Sequence, residues 1–246
     1  MTEVGFDRDE TLDVLCKDKL RIIQKKNGYR FSIDPILLAN FLILKKHERL
    51  LDIGSGCGII PVYLCKKSYG NEMLGIEIQK DLYNVSLKNK TINDCRNVSF
   101  MHGDIKVLAQ LLKQSPFHVV VSNPPYTKEK GGRKSPQHSR LVARYETFLT
   151  LPDLMMTTSS LLFRKGRFYT IYPSRRLGEL IGFARLNSLE LKRLRPIYPR
   201  RDKEANLFLA EFIKDGGIGA KIEQPLYIFD NSGYTDEVKK YYILNG

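Results

Sequence analysis

The sequence predicts an α/β protein. A mostly parallel, twisted sheet carries helices on both faces, an antiparallel strand pair closes its C-terminal end, and a small hairpin and helix precede it. Three observations carry this expectation. Short apolar strands at 50–53, 73–78, 98–101 and 117–122 alternate with helical segments near 59–67, 80–93 and 105–114, the rhythm of βαβ units. A glycine-rich turn, Gly54-Ser55-Gly56-Cys57-Gly58, sits between the first of these strands and its helix. The 246-residue length suits one main domain with a small attachment and is enough to bury a full core.

Taken in order, an acidic tip is followed by a hairpin expected to pair Leu20–Gln24 with Tyr29–Ser32 through Lys25-Lys26-Asn27-Gly28, where Asn27-Gly28 suits the positive φ angles of a tight turn. Asp34 is placed to cap the next helix and Pro35 to open it, with Ile36, Leu37, Leu38 and Phe41 on its apolar face. Residues 1–45 read as an extension packed on a domain spanning 46–246. After a polar, basic loop from Thr127 to Arg144 come a helix near 146–164, a strand at 167–172, a helix near 174–187 and strands near 189–197, 205–214 and 222–229. The last two strands have no helix between them and are expected to run antiparallel. A short helix, Asp236–Tyr242, ends the pattern.

Composition limits the function classes. With 42% hydrophobic and 27% charged residues the chain reads as soluble and globular, and runs such as Val119-Val120-Val121 are too short to span a bilayer. Asp7, Asp9, Glu10 and Asp13 stand where a signal peptide needs a basic and then an apolar region, so a cytoplasmic location is expected. Cys16, Cys57, Cys65 and Cys95 lack paired spacing and read as reduced thiols. His47, His102, His118 and His138 form no metal-binding pattern, so no metal is expected. The net charge of +13 points to a polyanionic partner, nucleic acid before others.

Glycines at the carboxyl edge of a parallel sheet let the backbone approach a bound ligand closely. Asp52 precedes the turn. Glu77 ends the second strand, where an acid can accept bonds from ribose hydroxyls, and Asp104 ends the third, where it can accept from an adenine amine or cap the following helix. Dinucleotide oxidoreductases space their glycines as G-x-G-x-x-G, whereas position 59 here is Ile. The Asp52-x-Gly54-x-Gly56-x-Gly58 form resembles the adenosylmethionine-binding turn of Rossmann-like class I methyltransferases over roughly residues 48–175. That resemblance implies S-adenosyl-L-methionine as cofactor. Asp34, Ile78, Ile105 and Asn123 complete the candidate cofactor set.

The fourth strand runs into Asn123-Pro124-Pro125-Tyr126. Two prolines remove two amide donors and leave carbonyl oxygens as acceptors, which suits a substrate bearing N–H groups. An amine conjugated to a ring or carbonyl is a poor nucleophile because its lone pair is delocalised. If the Asn123 side-chain oxygen and the Pro124 carbonyl both accept from the NH₂, they position it and favour a pyramidal nitrogen. Tyr126 offers a face for a planar base, which must leave its stack to arrive there. The tetrad resembles that of amino-methyltransferases acting on adenine N6, cytosine N4 or glutamine N5.

Basic residues lie beside this centre: Lys128, Lys130, Arg133, Lys134, Arg140 and Arg144, then Arg175 and Arg176, and further on Arg195, Arg200 and Arg201. Their clustering reads as a phosphate-binding rim. Phe31-Ser32-Ile33-Asp34-Pro35-Ile36-Leu37-Leu38, the tetrad, Ala143-Arg144-Tyr145-Glu146 and Gly233-Tyr234-Thr235 together resemble the tRNA valine adenine-37 N6-methyltransferase family. This implies N6-methylation of an adenine beside a tRNA anticodon. A DNA or ribosomal RNA adenine methyltransferase, a glutamine-N5 protein methyltransferase and a non-catalytic RNA-binding protein are the alternatives.

Overall fold

In chain order the elements are β1 (Glu10–Leu15), β2 (Leu20–Lys25), α1 (Asp34–Phe41), β3 (Leu50–Ile53), α2 (Ile59–Lys66), β4 (Met73–Glu77), α3 (Lys80–Ile92), β5 (Val98–His102), α4 (Ile105–Leu112) and β6 (Phe117–Ser122). They continue with α5 (Leu151–Leu161), β7 (Leu162–Pro173), α6 (Leu177–Leu186), β8 (Leu189–Tyr198), β9 (Leu207–Lys214), the two-residue strands β10 (Lys221–Ile222), β11 (Leu226–Tyr227), β12 (Phe229–Asp230) and β13 (Gly233–Tyr234), and α7 (Asp236–Tyr241). The structure, a computed structural model, describes residues 5, 7–17, 19–26, 30, 32–67, 69–124 and 149–244. No helix among them is long and apolar enough to cross a membrane.

The main sheet runs β10-β8-β9-β7-β6-β3-β4-β5, with β11 also on β8. Strands β3 to β7 pair in parallel. Strands buried on both faces need apolar side chains throughout, which is why Leu50-Leu51-Asp52-Ile53 and Val119-Val120-Val121 read as continuous runs rather than alternations. Their alternate residues divide the core. Val119 and Val121 face one side with Val62, Tyr63, Ile22 and Ile36, while Val120 faces the other with Phe168, Leu154 and Leu180.

Two expected strand partners are corrected. Leu20–Lys25 pairs with the preceding strand β1, from Glu10 opposite Lys25 to Leu15 opposite Leu20, and the chain reverses between them with Cys16 and Lys17 at φ of 56° and 53°. The other edge of β2 is occupied by α3. The Asn89 and Asn93 side chains accept from the Ile23 and Arg21 amides at 2.7 and 3.1 Å and donate to the same residues' carbonyls. Residues 27–29, with the expected Asn27-Gly28 turn, lie outside the described residues.

The second correction concerns β9, which runs antiparallel to β7 on one side and to β8 on the other. With both its edges filled, the segment near 222–229 pairs in parallel with the outer edge of β8 through β10 and β11. The antiparallel pair is therefore 189–198 with 207–214. At α1, Ile33 occupies the cap position, and Asp34 is already helical with its amide donating to Ser32 Oγ at 3.3 Å. Pro35 at the second position explains the early start, since its fixed φ suits the first turn and its missing N–H is not needed there.

Candidate active site

The carboxyl ends of β3, β4 and β6 meet at one edge of the sheet. Asp52 lies opposite Val121, and Ser122 Oγ donates to the Ile53 carbonyl at 2.8 Å, so Asn123 and Gly54 each follow directly on neighbouring strand ends. Gly54, Gly56 and Gly58 adopt φ of 74°, 57° and 80°, the left-handed region where a Cβ is unfavourable. The Gly54 and Ser55 amides both donate to the Ile76 carbonyl, which folds the turn back over β4. From below, the Phe100 ring fills the space where side chains on Gly58 and Gly75 would stand.

One oxygen of Glu77 holds this turn by accepting from the Gly56 amide, and the other accepts from the Gln79 amide just past β4, each at 2.8 Å. Asp52 and Glu77 are each only 1% exposed. Burial, followed by the charge of Glu77, holds the Asp52 carboxyl well above the usual carboxylate range. Burial also raises Glu77, against the backbone amides that favour its anion. Asp52 Oδ1 and Ser55 Oγ are buried and have no hydrogen-bond partner among the described residues. Buried polar atoms are otherwise almost always paired, so two orphans at a glycine turn mark a place for a ligand.

Beside the turn lies a shallow cleft open to solvent, lined by Gly54, Ile78, Asp104 and Ile105 from the expected set and by Ile53, Ile76, Gly103 and Leu149 in addition. Asp104 caps α4, its Oδ1 accepting from the Lys106 amide at 2.9 Å, while the residue still borders the cleft. The helix-cap and ligand readings thus coexist in one side chain. Apolar side chains from β3 and β4 with one carboxylate at the rim give the cleft an apolar face and a polar edge, the chemistry that a flat, polar-edged ring such as adenine would meet. Together, the orphaned acid, the Glu77 carboxylate, the open glycine turn and this cleft have the chemistry to meet an adenosyl amino-acid cofactor.

A larger space of about 800 Å³, also open to solvent, abuts Pro124 and is bounded by Leu149, Thr150, Tyr172, Arg176 and Phe183 among others. Pro125, Tyr126, Lys128, Lys130, Arg133, Lys134, Arg140 and Arg144 lie outside the described residues. Asp34 is buried at the start of α1, which packs on α2. Arg175 is exposed, and Arg176 forms two 2.7 Å bonds to Glu179 while lying 5.1 Å from the Tyr172 ring centre. Arg195 is half-buried and donates to the Gln224 carbonyl at 3.0 Å and to the Glu237 carboxylate at 2.9 Å. Arg200 and Arg201 are exposed.

Sequence reasoning overlooked Ser55, although it lies inside the glycine motif, because a serine between glycines is unremarkable until its hydroxyl is found buried. It also overlooked Leu149 and Tyr172, which carry no motif and reach the site through α5 and β7.

Residues 33–151 match the family model described as the methyltransferase small domain. Curated relatives named tRNA1(Val) (adenine(37)-N6)-methyltransferase include those of Aliivibrio salmonicida, 25% identical over 85% of this chain and 87% of its own length, and Porphyromonas gingivalis, 30% identical over 67% and 65%. Among solved structures, a predicted O-methyltransferase from Agrobacterium tumefaciens superposes with a TM-score of 0.67 over 85% of this chain and 95% of its own, at 18% identity. M. jannaschii TYW2, solved in complex with AdoMet, gives 0.53 over 86% and 89%, at 15% identity. The strand order, the glycine turn and these matches agree: the chain has the Rossmann-like class I fold, and its residues 33–151 are similar to the methyltransferase small domain.

Proposed function

We propose that the protein transfers the methyl group of S-adenosyl-L-methionine to N6 of an adenine in tRNA, next to the anticodon at a position of the 37 type. The observation that carries the reading is that Asn123 and Gly54 follow directly on neighbouring strand ends, with Ser122 tied to Ile53. The names of the relatives support the tRNA target, and the net charge of +13 supports a polyanionic substrate.

Glu77 would take the ribose hydroxyls, Asp104 with Ile78 and Ile105 would take the adenine, and Asp52 Oδ1 would face the amino-acid end. When bound, the cofactor supplies an electrophilic methyl on a sulfonium. The Asn123 side-chain oxygen and the Pro124 carbonyl accept the two N–H bonds of the substrate amine and aim its lone pair at that methyl. As the new C–N bond forms and the C–S bond breaks, the nitrogen becomes cationic and its proton acidic. Asn123 therefore needs only to hold the N–H until solvent removes the proton, and no strong base is required. Tyr126 is assigned the base-stacking face.

Incubation with methyl-labelled adenosylmethionine and total bacterial tRNA, followed by mass spectrometry of nucleosides, tests this. Label in N6-methyladenosine is expected. Label recovered only in protein, or in another nucleoside, overturns it.

A further inference from the structure

The edge that carries the candidate site continues across the sheet to a second feature. Strand β9 runs antiparallel to β7 with Leu207 opposite Pro173, so β9 begins at the carboxyl edge of the parallel strands. Strand β8 ends there, Ile197 opposite Leu207, and β11 runs beside it with Tyr227 opposite Tyr198. The turn holding Arg200 and Arg201 and the hairpin β12–β13 therefore emerge on the edge that holds Gly54 and Asn123. β8 stands three strand spacings from β6, a lateral distance of about 14 Å.

Aromatic rings gather at this place. Phe229, Tyr234 and Tyr242 form a ladder with centroid spacings of 5.1 and 5.9 Å and interplanar angles of 13° and 16°, and Tyr198 lies 5.4 Å from Tyr227. Phe229 and Tyr234 oppose each other across β12–β13, and each is 36% exposed. The Arg200 guanidinium lies 5.8 Å from the Phe229 ring and that of Arg201 5.1 Å from the Tyr227 ring.

Four nearby cations are ion-paired: Arg193 with Glu211 and Glu223, Arg195 with Glu237, Lys203 with Asp202 and Lys239 with Asp236. Among the described residues Arg200 and Arg201 have no carboxylate within ion-pair distance, and Arg200 donates only to the Asp230 carbonyl. Exposed rings with guanidinium groups against them are the combination that holds unpaired bases, since any base can stack on a ring or on an arginine plane. Asp202, Glu204 and Asp230 are interspersed, so the patch suits a few nucleotides held at separate points and not the continuous backbone of a duplex.

We infer that this aromatic and arginine platform binds unpaired nucleotides of the RNA strand whose adenine enters the site, a few positions away along that strand. The inference rests on the proposed RNA substrate. Placing the flanking nucleotides on one rigid edge fixes the direction in which the strand crosses Asn123, and so helps to select which loop adenine is presented.

The test compares wild type with Phe229→Leu, which keeps apolar bulk without a ring face, and with the double change Arg200→Gln/Arg201→Gln. Each is measured for thermal melting, for affinity toward an RNA hairpin carrying an adenine in its loop, and for methyl transfer to that hairpin and to a trinucleotide centred on adenine. The expected result is unchanged melting, hairpin affinity and KM weakened about tenfold by either change, kcat within about twofold, and trinucleotide transfer unaffected. The arginine change should also lower the slope of log affinity against log salt by about 1.4, the value for two lost contacts to a single strand. Unchanged hairpin affinity and salt slope in both variants would overturn the platform. Hairpin affinity is read without turnover, so a wild type that binds RNA but transfers no methyl to it defeats the proposed reaction alone, and the variants still decide the surface.

Discussion

The side-chain amide of Asn89 donates to the carbonyl of Cys57 at 2.8 Å from the middle of α3, and so fixes the floor of the glycine turn. The same amide group accepts from the Ile23 amide and donates to the Ile23 carbonyl, at 2.7 and 3.0 Å. One fully buried side chain thereby joins the N-terminal hairpin to the turn proposed to hold the cofactor. Replacing it with alanine leaves three backbone groups without partners in a dry interior, a loss of about 2–4 kcal/mol. Asn89→Asp keeps the acceptor for Ile23 but turns an oxygen toward two carbonyls, so it should destabilise at least as much as alanine. Urea unfolding of both variants checks this order. A loss below about 1 kcal/mol for alanine would show that the amide does not secure the turn.

Gly56 and Gly58 separate two reasons for a glycine. A Cβ on Gly58 would drive into the Phe100 ring and the Ser86 side chain, whereas a Cβ on Gly56 meets nothing within 4 Å. Both have positive φ, so each alanine carries the left-handed penalty of about 1–2 kcal/mol. Gly58→Ala should lose stability well beyond that. Gly56→Ala should lose only the backbone term yet bind adenosylmethionine at least tenfold more weakly, because its open face is where the ligand must approach. Melting curves with and without cofactor, read beside isothermal titration, distinguish the two. A Gly56→Ala protein with normal cofactor affinity would move the ligand away from the turn.

The parallel half of the sheet was legible in the sequence because buried strands leave a strong local signal: Leu50–Ile53 and Val119–Val121 are nearly pure apolar runs, each ended by a recognisable turn. Pairing was less legible. The partner of β2 depends on Asn89 and Asn93 some 66 and 72 residues away, whose amides satisfy one strand edge without being a strand. Nothing in the local pattern of Leu20–Lys25 reports that. Among the site residues, Gly54, Gly56, Gly58, Glu77 and Asp104 stood out because spacing relative to strand ends identifies them. The ion pair of Arg195 with Glu237 was not legible, because counting cations does not show which carboxylate each one meets. Leu149 and Tyr172 depend on how α5 and β7 return to the edge, which is a property of the fold.

Asp52 makes the stability of the ligand-free protein depend on pH. Its folded carboxyl is held well above the usual range by burial and then by Glu77, so the folded state keeps a proton that the unfolded chain loses at about pH 4. Where the folded state binds more protons, stability falls as pH rises. This contribution is fully present below the unfolded pKa and is lost progressively as pH climbs through the folded one. Asn at position 52 has no proton to lose, so Asp52→Asn should flatten that part of the profile and be more stable than wild type at neutral pH. Denaturant titrations at half-unit pH intervals from 4 to 8 test it. Parallel profiles for the two proteins would mean that the Asp52 carboxyl is already charged near its ordinary pKa.

Asn123 separates binding from chemistry. It follows directly on β6 and is assigned to the substrate amine, whereas the cofactor is assigned chiefly to Glu77, Asp104 and the turn. Asn123→Ala removes an acceptor whose value rises as the amine hydrogens gain positive charge in the transition state. The expected loss in kcat is about a hundredfold or more, the usual cost of deleting one such aligned group. Cofactor affinity should stay within about threefold, and melting should barely change, because the Ser122 bond to Ile53 still sets the end of β6. Asn123→Asp retains an acceptor oxygen and should keep more activity than alanine, with the difference growing as pH rises and the new carboxyl ionises. Single-turnover transfer measured with saturating cofactor isolates this step. If alanine and aspartate lose activity equally across pH 5–8, the side-chain oxygen is not what holds the amine, and the Pro124 carbonyl must position it alone.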